Sequence, residues 1–535
     1  MTHRVRPEPH RRGSAWRYAA LAAAAAAAVG IATAILVRPA RHAAEPAAAI
    51  ELACAAGLRE PVEKVVARYT SEEGVGVGVQ FGGSGSLVNQ ILLRRAGELL
   101  LLADDSGLDA LATAGLLAET LPVGEQQAVL VVRDGNPKHV TGIADLLRPE
   151  IRTALGNPDQ VAIGRVARGA LDAAGGWAAL EQAVKDRGVF QPTVTEVVTA
   201  VALGAVDAGI VWKSNAVADD RLETVAAAEL EAARAPIVLC VLTTARAPTA
   251  ALKFARFLTA RDRGLADFTA AHYTTIDGDA WADTPELTFY CGSVNRRAVE
   301  SVVAAFEARE GAKVTTVYNG CGILTGQMRA IAEWQQGRGF PDAYMACDRY
   351  YLDDVGSLFQ DDVDVSETEV VIAVPKGNPK GIGSIRDLSA PGLRLAVGQP
   401  KQCTIGVLTR QLLEAEKMLD SVMPNVVTET CSSALLLPMV TSNAVDAAFV
   451  YESDAGQMRD QIDMVRISAA EALAVQPLAI ARSSSNKWLA RRFMQAVAHA
   501  RGEFEAAGFR WRMDGDPDRR RKDGTLDAPA AGVGP

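Results

Sequence analysis

Apolar residues recur along this chain in two alternating rhythms. Short apolar runs such as Ile50 to Ala53 and Leu287 to Cys291 give way to stretches with helical spacing: Val62, Val65, Val66 and Tyr69 in one place, Val299, Val302, Val303 and Phe306 in the other. A run of that length followed by residues spaced three and four apart predicts a strand leading into an amphipathic helix. A second strand then ends in each of two glycine-rich loops, Phe81-Gly82-Gly83-Ser84-Gly85 and Tyr318-Asn319-Gly320-Cys321-Gly322. After them come Leu87, Val88, Ile91 and Leu92, or Ile323, Leu324, Met328 and Ile331, again at helical spacing. Strand-loop-helix alternation predicts an α/β fold of doubly wound parallel sheets covered on both faces, with ligands at the carboxyl ends of the strands.

These parallels are an internal repeat with a period of about 240 residues. Cys54 to Arg59 matches Cys291 to Arg296, and Leu102-Ala103-Asp104 matches Ala346-Cys347-Asp348. Gly135-Asn136-Pro137-Lys138 recurs as Gly377-Asn378-Pro379-Lys380, which reads as a turn. It is followed in both copies by Asp-Leu (Asp145, Asp387), Gly-x-Pro (Gly156, Gly398) and Ile-Gly (Ile163, Ile405). Val206 to Trp212 pairs with Val445 to Tyr451. Two tandem domains follow, over 48–280 and 286–508. Each divides again, with a second lobe beginning near Gln126 to Arg133 (Val370 to Pro375) and a return near Ala235 to Thr243 (Val475 to Ala481). Two lobes joined by crossing strands make a cleft that can close on a ligand.

The termini read differently. Residues 1–18 are basic, with Arg4, Arg6, Arg11, Arg12 and Arg17, and 19–37 is an uncharged run of 19 residues, close to a bilayer span. That length predicts a transmembrane anchor or uncleaved signal with the N-terminus in the cytoplasm. A linker over 38–47 follows. The polar stretch 510–535, with Arg519-Arg520-Arg521-Lys522, reads as a disordered tail. The expected location is the extracytoplasmic face of the inner membrane. A net charge of -9 argues against nucleic acid as a partner. No Gly-x-Ser-x-Gly elbow, Walker loop or His-Glu-x-x-His is present, so catalysis and cofactors are not expected.

The residues after the first strand, the Gly-Gly-Ser-Gly loop, the strand ending in Ala-Asp and Asp-Ala-Gly-Ile-Val-Trp together resemble the periplasmic molybdate-binding proteins of ABC importers. The resemblance implies a type 2 periplasmic binding fold in tandem. It also implies a tetrahedral oxyanion held between lobes by hydroxyls and backbone N–H groups, with an ABC permease as partner. Carried over by position, the ligand-binding residues are Ala56 or Gly57, Ser84, Ala162 and Trp212 in copy one, and Ser293, Cys321, Thr404 and Tyr451 in copy two. Helix N-termini can hold such an anion without Lys or Arg. Copy one has Ala56-Gly57 where the family supplies a hydroxyl and Trp212 where it has tyrosine, so copy one is expected to bind weakly. A sensor or interaction scaffold with one degenerate copy is the alternative.

Five of seven cysteines fall in copy two: Cys291, Cys321, Cys347, Cys403 and Cys431. Three readings stand side by side. They are disulfides, with Cys291–Cys321 or Cys321–Cys347 as pairs; inert buried thiols; or a soft-metal or metalloid site from Cys291, Cys321, Cys347 and Cys403. Cys54 and Cys240 read as buried thiols. Asp104 and Asp348, at strand ends before helices, read as caps in preference to cation ligands. Arg59 and Arg296 are candidates for an anion contact or a salt bridge.

Overall fold

The computed structural model describes residues 50–334 and 339–513. Copy one is built on ten strands: β1 (Ile50–Ala55), β2 (Val77–Gly82), β3 (Leu99–Leu102), β4 (Leu117–Arg133), β5 (Thr153–Gly156), β6 (Val189–Gln191), β7 (Ala208–Trp212), β8 (Leu222–Val225), β9 (Arg234–Leu242) and β10 (Thr274–Thr275). Their order is β2-β1-β3-β9-β4-β7-β5-β6, with β8 and β10 also on β4. β1 lies parallel to β2 and β3, and β5 parallel to β6 and β7. β9 and β4 run antiparallel to their neighbours, so the expected parallel sheets are mixed. The reason is the crossing itself: a strand that leaves one lobe for the other, and one that returns, must lie in opposite senses.

β4 makes that crossing within a single strand. Its first part, to Gln127, pairs with β9, and from Ala128 onward it pairs with β7. The apolar run Leu99 to Leu102 is buried throughout because helices cover both faces. Val62, Val65 and Tyr69 of the helix Arg59–Glu73 are buried, as their spacing predicts.

Copy two repeats the plan in β11 (Glu286–Gly292), β12 (Lys313–Asn319), β13 (Ala343–Met345), β14 (Phe359–Pro375), β15 (Leu395–Gly398), β16 (Val426–Thr430), β17 (Ala447–Tyr451), β18 (Ile462–Arg466), β19 (Leu473–Ala481) and β20 (Arg510–Trp511). The order is β12-β11-β13-β19-β14-β17-β15-β16, with β18 and β20 on β14. The Gly-Asn-Pro-Lys blocks are turns in both copies. Asn136 and Asn378 adopt positive φ (42° and 46°), and each side chain bonds the backbone four residues on, at Val140 and Ile382.

The start of the expected disordered tail is corrected here. Arg510–Trp511 pairs with β14 because Phe509 and Trp511 bury their rings, while Arg510 and Arg512 pair with Glu367. The remainder of that tail, and the predicted anchor over 19–37, lie outside the described residues. Among the described residues no helix is long and apolar enough to cross a membrane.

The two copies are joined by polar contacts. Glu310 of copy two accepts from Arg256 of copy one at 3.1 Å and from Arg492 at 2.6 Å, all three buried. Asp279 accepts from the backbone N–H groups of Trp488 and Leu489 at 3.1 and 2.8 Å, capping the helix Lys487–Ala498. Arg309 pairs with Glu119.

Candidate functional site

Every position carried over from the family resemblance stands at the start of a helix. Ala56 opens the short helix Ala56–Leu58, Ser84 opens Ser84–Arg94, Ala162 opens Ala162–Ala173, and Trp212 immediately precedes Lys213–Val217. In copy two Ser293, Cys321 and Thr404 open Ser293–Asn295, Cys321–Trp334 and Thr404–Ala415, and Tyr451 precedes Glu452–Gly456. Each strand ends where unpaired N–H groups begin.

The glycine loops are seated against the opposite lobe. Gly85 donates its N–H to the Gln160 carbonyl at 3.0 Å, and Gly322 donates to Gln402 at 3.2 Å. A Cβ on Gly83 would lie 2.5 Å from the Gln160 oxygen and 2.9 Å from that of Pro192. One on Gly320 would collide with Gln402 and Cys431. Only glycine permits this approach, so the two lobes touch at each loop.

In copy one Ser214 Oγ and Asn215 Oδ1, in the helix that follows Trp212, are buried without a partner among the described residues, while the other candidate groups are engaged. Ser84 Oγ accepts from the Ala103 N–H at 3.2 Å, and the Gly57 carbonyl accepts from Tyr273 Oη at 2.5 Å and Asn215 Nδ2 at 3.0 Å. The Trp212 ring is buried beside Gly57, whose absent Cβ would sit 3.4 Å from it. Asp104 is held by Arg165 of the second lobe through both carboxylate oxygens, at 2.8 and 3.1 Å. It is therefore an interlobe ion-pair partner and not the expected helix cap.

Copy two has a different interior. Cys321 Sγ accepts from the Cys347 N–H at 3.1 Å, as Ser84 accepts from Ala103, and the two sulfurs are 2.9 Å apart. A Cβ on Gly292 would collide with both sulfurs. The hydroxyls of Thr404, Tyr344 and Tyr451 and the Asn295 Oδ1 are buried and complete no well-formed hydrogen bond among the described residues. Burial pushes the Cys321 thiol up, but its contacts with the Cys347 thiol and backbone N–H and the dipoles of the neighbouring Thr404 and Tyr344 hydroxyls outweigh it, so its pKa falls below the ordinary value. The Cys347 thiol is pushed well up, first by its bond to Cys321 and then by burial. Burial raises Tyr344 and Tyr451 well above the ordinary range.

The family model for bacterial extracellular solute-binding proteins matches residues 50–270 and again 287–510. The chain belongs to this family. Each copy is thus a solute-binding domain in tandem with its twin. The chain is 32% identical over 174 residues to Molybdate-binding protein ModA of Mycobacterium tuberculosis H37Rv; the match spans 31% of this chain and 65% of that relative. It is 27% identical over 193 residues to the putative ABC transporter substrate-binding lipoprotein YvgL of Bacillus subtilis, over 35% of this chain and 72% of the relative. Among solved structures, the substrate-binding domain of a putative molybdenum ABC transporter from Clostridium difficile is 25% identical, covering 42% of this chain and 98% of that one, with a TM-score of 0.33.

Within this tandem solute-binding protein the four-cysteine metal site is not assembled. Among the described residues no group of three or more His, Cys, Asp and Glu side chains is placed to hold a metal ion. Cys291 turns its thiol to the Gly292 carbonyl at 3.6 Å, and burial pushes Cys403 up to about 12. No disulfide is present among the described residues. Of the two expected pairs, Cys321 and Cys347 are the ones in contact. Asp348 caps its helix, accepting from the Tyr350 N–H at 3.1 Å. Arg59 and Arg296 are exposed and pair with Glu63 and Glu300, stacking on Phe81 and Tyr318.

Two polar groups escaped sequence reasoning, Tyr344 and Asn295. By the repeat they stand where copy one has Leu100 and Leu58. A tyrosine and an asparagine replacing buried leucines are the signal that a residue-by-residue comparison of the copies would have raised.

Proposed function

We propose that this protein captures a small tetrahedral oxyanion of the molybdate or tungstate type outside the cytoplasm and delivers it to an ABC importer, and that copy two is the binding copy. One observation carries this reading: the unpartnered, buried hydroxyls of Thr404, Tyr344 and Tyr451 gather around the helix starts at Cys321 and Thr404. A buried hydroxyl without a partner costs roughly 1–3 kcal/mol, so a guest that accepts hydrogen bonds there recovers it. Helix N-termini add about half a positive charge each, which suits an unprotonated anion. Ser293 and Cys321 complete the ring of helix starts in copy two.

Copy one serves as the non-binding partner, a scaffold. The Arg165–Asp104 pair and the Trp212 ring favour this assignment, because the first joins the lobes and the second takes up space beside Gly57. The molecule acts as a binder and not as a catalyst, and the segment 19–37 has the composition of its tether.

Calorimetric titration of the full chain with molybdate, tungstate, sulfate and phosphate tests the reading. One site per chain is expected, lost in the double variant Thr404→Val, Tyr451→Phe and retained in Ser84→Ala. Binding that survives the double variant and disappears with Ser84→Ala would reverse the assignment of the copies.

A further inference from the structure

Copy two carries a pair of sulfurs where copy one has a hydroxyl and a methyl group. Cys321 replaces Ser84 and Cys347 replaces Ala103. The sulfurs are 2.9 Å apart, both buried, and Gly292 alone leaves room for them. A shift of about 1 Å brings them to disulfide bonding distance. Cys321 opens the helix Cys321–Trp334, so its sulfur stands at the same helix start that the proposed anion would use.

We propose that Cys321 and Cys347 form a reversible disulfide whose redox state decides whether copy two holds an oxyanion; this rests on the reading of copy two as the binding copy. The oxidant is a disulfide, of low molecular weight or on another protein. Cys321 as thiolate attacks one sulfur of it, forming a mixed disulfide and expelling the other half as a thiolate. Cys347, giving up its proton to that leaving thiolate, attacks Cys321 Sγ and expels the second half, which takes up the proton Cys321 lost. Two protein thiols lose two electrons and two protons, and the external disulfide gains both and leaves as two thiols. Access requires the lobes to part, which breaks the Gly322–Gln402 hydrogen bond.

The direction of control follows from charge. A reduced Cys321 that ionises at a helix start claims the local N–H donors itself and repels an incoming anion. The disulfide is neutral and leaves those donors to the guest. The oxidised form is the binding form.

The test uses the full chain, treated either with excess oxidised glutathione or with a phosphine reductant. Alkylation and peptide mass mapping locate the thiols, and calorimetry with molybdate reads affinity in both states. Expected are a Cys321–Cys347 crosslink and at least tenfold tighter binding after oxidation. The variant Cys321→Ser, Cys347→Ala, which copies the residues of copy one and whose folding is checked by thermal melting, should bind equally under both treatments. Free, alkylated Cys321 and Cys347 after oxidation would overturn the switch, as would a crosslink with unchanged affinity. Absence of molybdate, tungstate, sulfate and phosphate binding in either state and in the variant would instead remove the anion reading, and the switch with it.

Discussion

Arg165 places its Nε and Nη2 on the two oxygens of Asp104, at 2.8 and 3.1 Å, and so ties the second lobe of copy one to the first. By the repeat, copy two has Val407 and Asp348 at these positions, and Asp348 turns its oxygens to the backbone N–H groups of Tyr350 and Val475. One copy is latched by a side-chain ion pair, whereas across the other Gly322 donates to the Gln402 carbonyl and Tyr351 Oη to the Pro400 carbonyl at 2.9 Å. Four consequences can be measured.

Arg165→Met leaves Asp104, whose side chain is 5% exposed, without its cationic partner. The expected loss of stability is about 1–3 kcal/mol, the range for stranding a buried hydrogen-bonded group. Urea denaturation reads the loss, and hydrogen exchange at the Gly85 amide should accelerate. Unchanged exchange at Gly85 would show that the pair does not hold the lobes.

Restoring the missing donors of copy one should create a second site. The variant Ala56→Ser, Trp212→Tyr supplies a hydroxyl at each of two helix starts and removes the indole beside Gly57. Calorimetry should then count two molybdate ions per chain in place of one. A stoichiometry that stays at one would mean the Arg165–Asp104 latch or the packing around it excludes the anion, and adding Arg165→Met separates those two causes.

Tyr451→Phe removes a hydroxyl with no partner among the described residues. Stability should hold or rise by up to roughly 1 kcal/mol, because an orphaned polar group is lost along with nothing else. Anion affinity should fall by about tenfold or more, equivalent to about 1.4 kcal/mol. Thermal melting with and without molybdate separates the two effects.

The ionic triad between the copies predicts an acid limit. Burial pushes the Glu310 carboxyl up, but Arg492 and Arg256 outweigh it and hold its pKa below the ordinary value of 4.5. A carboxylate with a depressed folded-state pKa contributes stability that is complete above its unfolded value and is lost as pH falls through the folded one. Stability should therefore drop below about pH 4.5, and the drop should flatten in Glu310→Gln. That variant should itself cost about 3–5 kcal/mol at neutral pH, since two buried guanidiniums lose their counter-ion. Urea titrations across pH 3–7 check both statements.

The placement of the candidate site residues at helix starts was legible in advance because of how strand and helix meet. Ser84, Ala162, Thr404 and Tyr451 are found at helix starts because a strand, a short loop and a helix leave their junction in a predictable place. The exposed positions Arg59 and Arg296 were ambiguous, since a sequence cannot say whether a guanidinium turns inward or toward the glutamate one turn on. Asp104 was misjudged for a related reason. Its partner Arg165 is 61 residues away, in the other lobe, and no local pattern announces that pairing.

By itself the sequence determined the duplication, the alternation of strands and helices and the helix starts at which the candidate residues stand, because these depend on periodicity and on contacts between near neighbours. Only the tertiary structure decided which sulfur meets which, that Asp104 serves as a latch, that β4 and β9 run against their neighbours, and that the Thr404, Tyr344 and Tyr451 hydroxyls of copy two lie buried without partners among the described residues. Each of those is a meeting of residues far apart in the chain, set by how two lobes close on one another, and spacing along a polypeptide carries no information about the distance across a cleft.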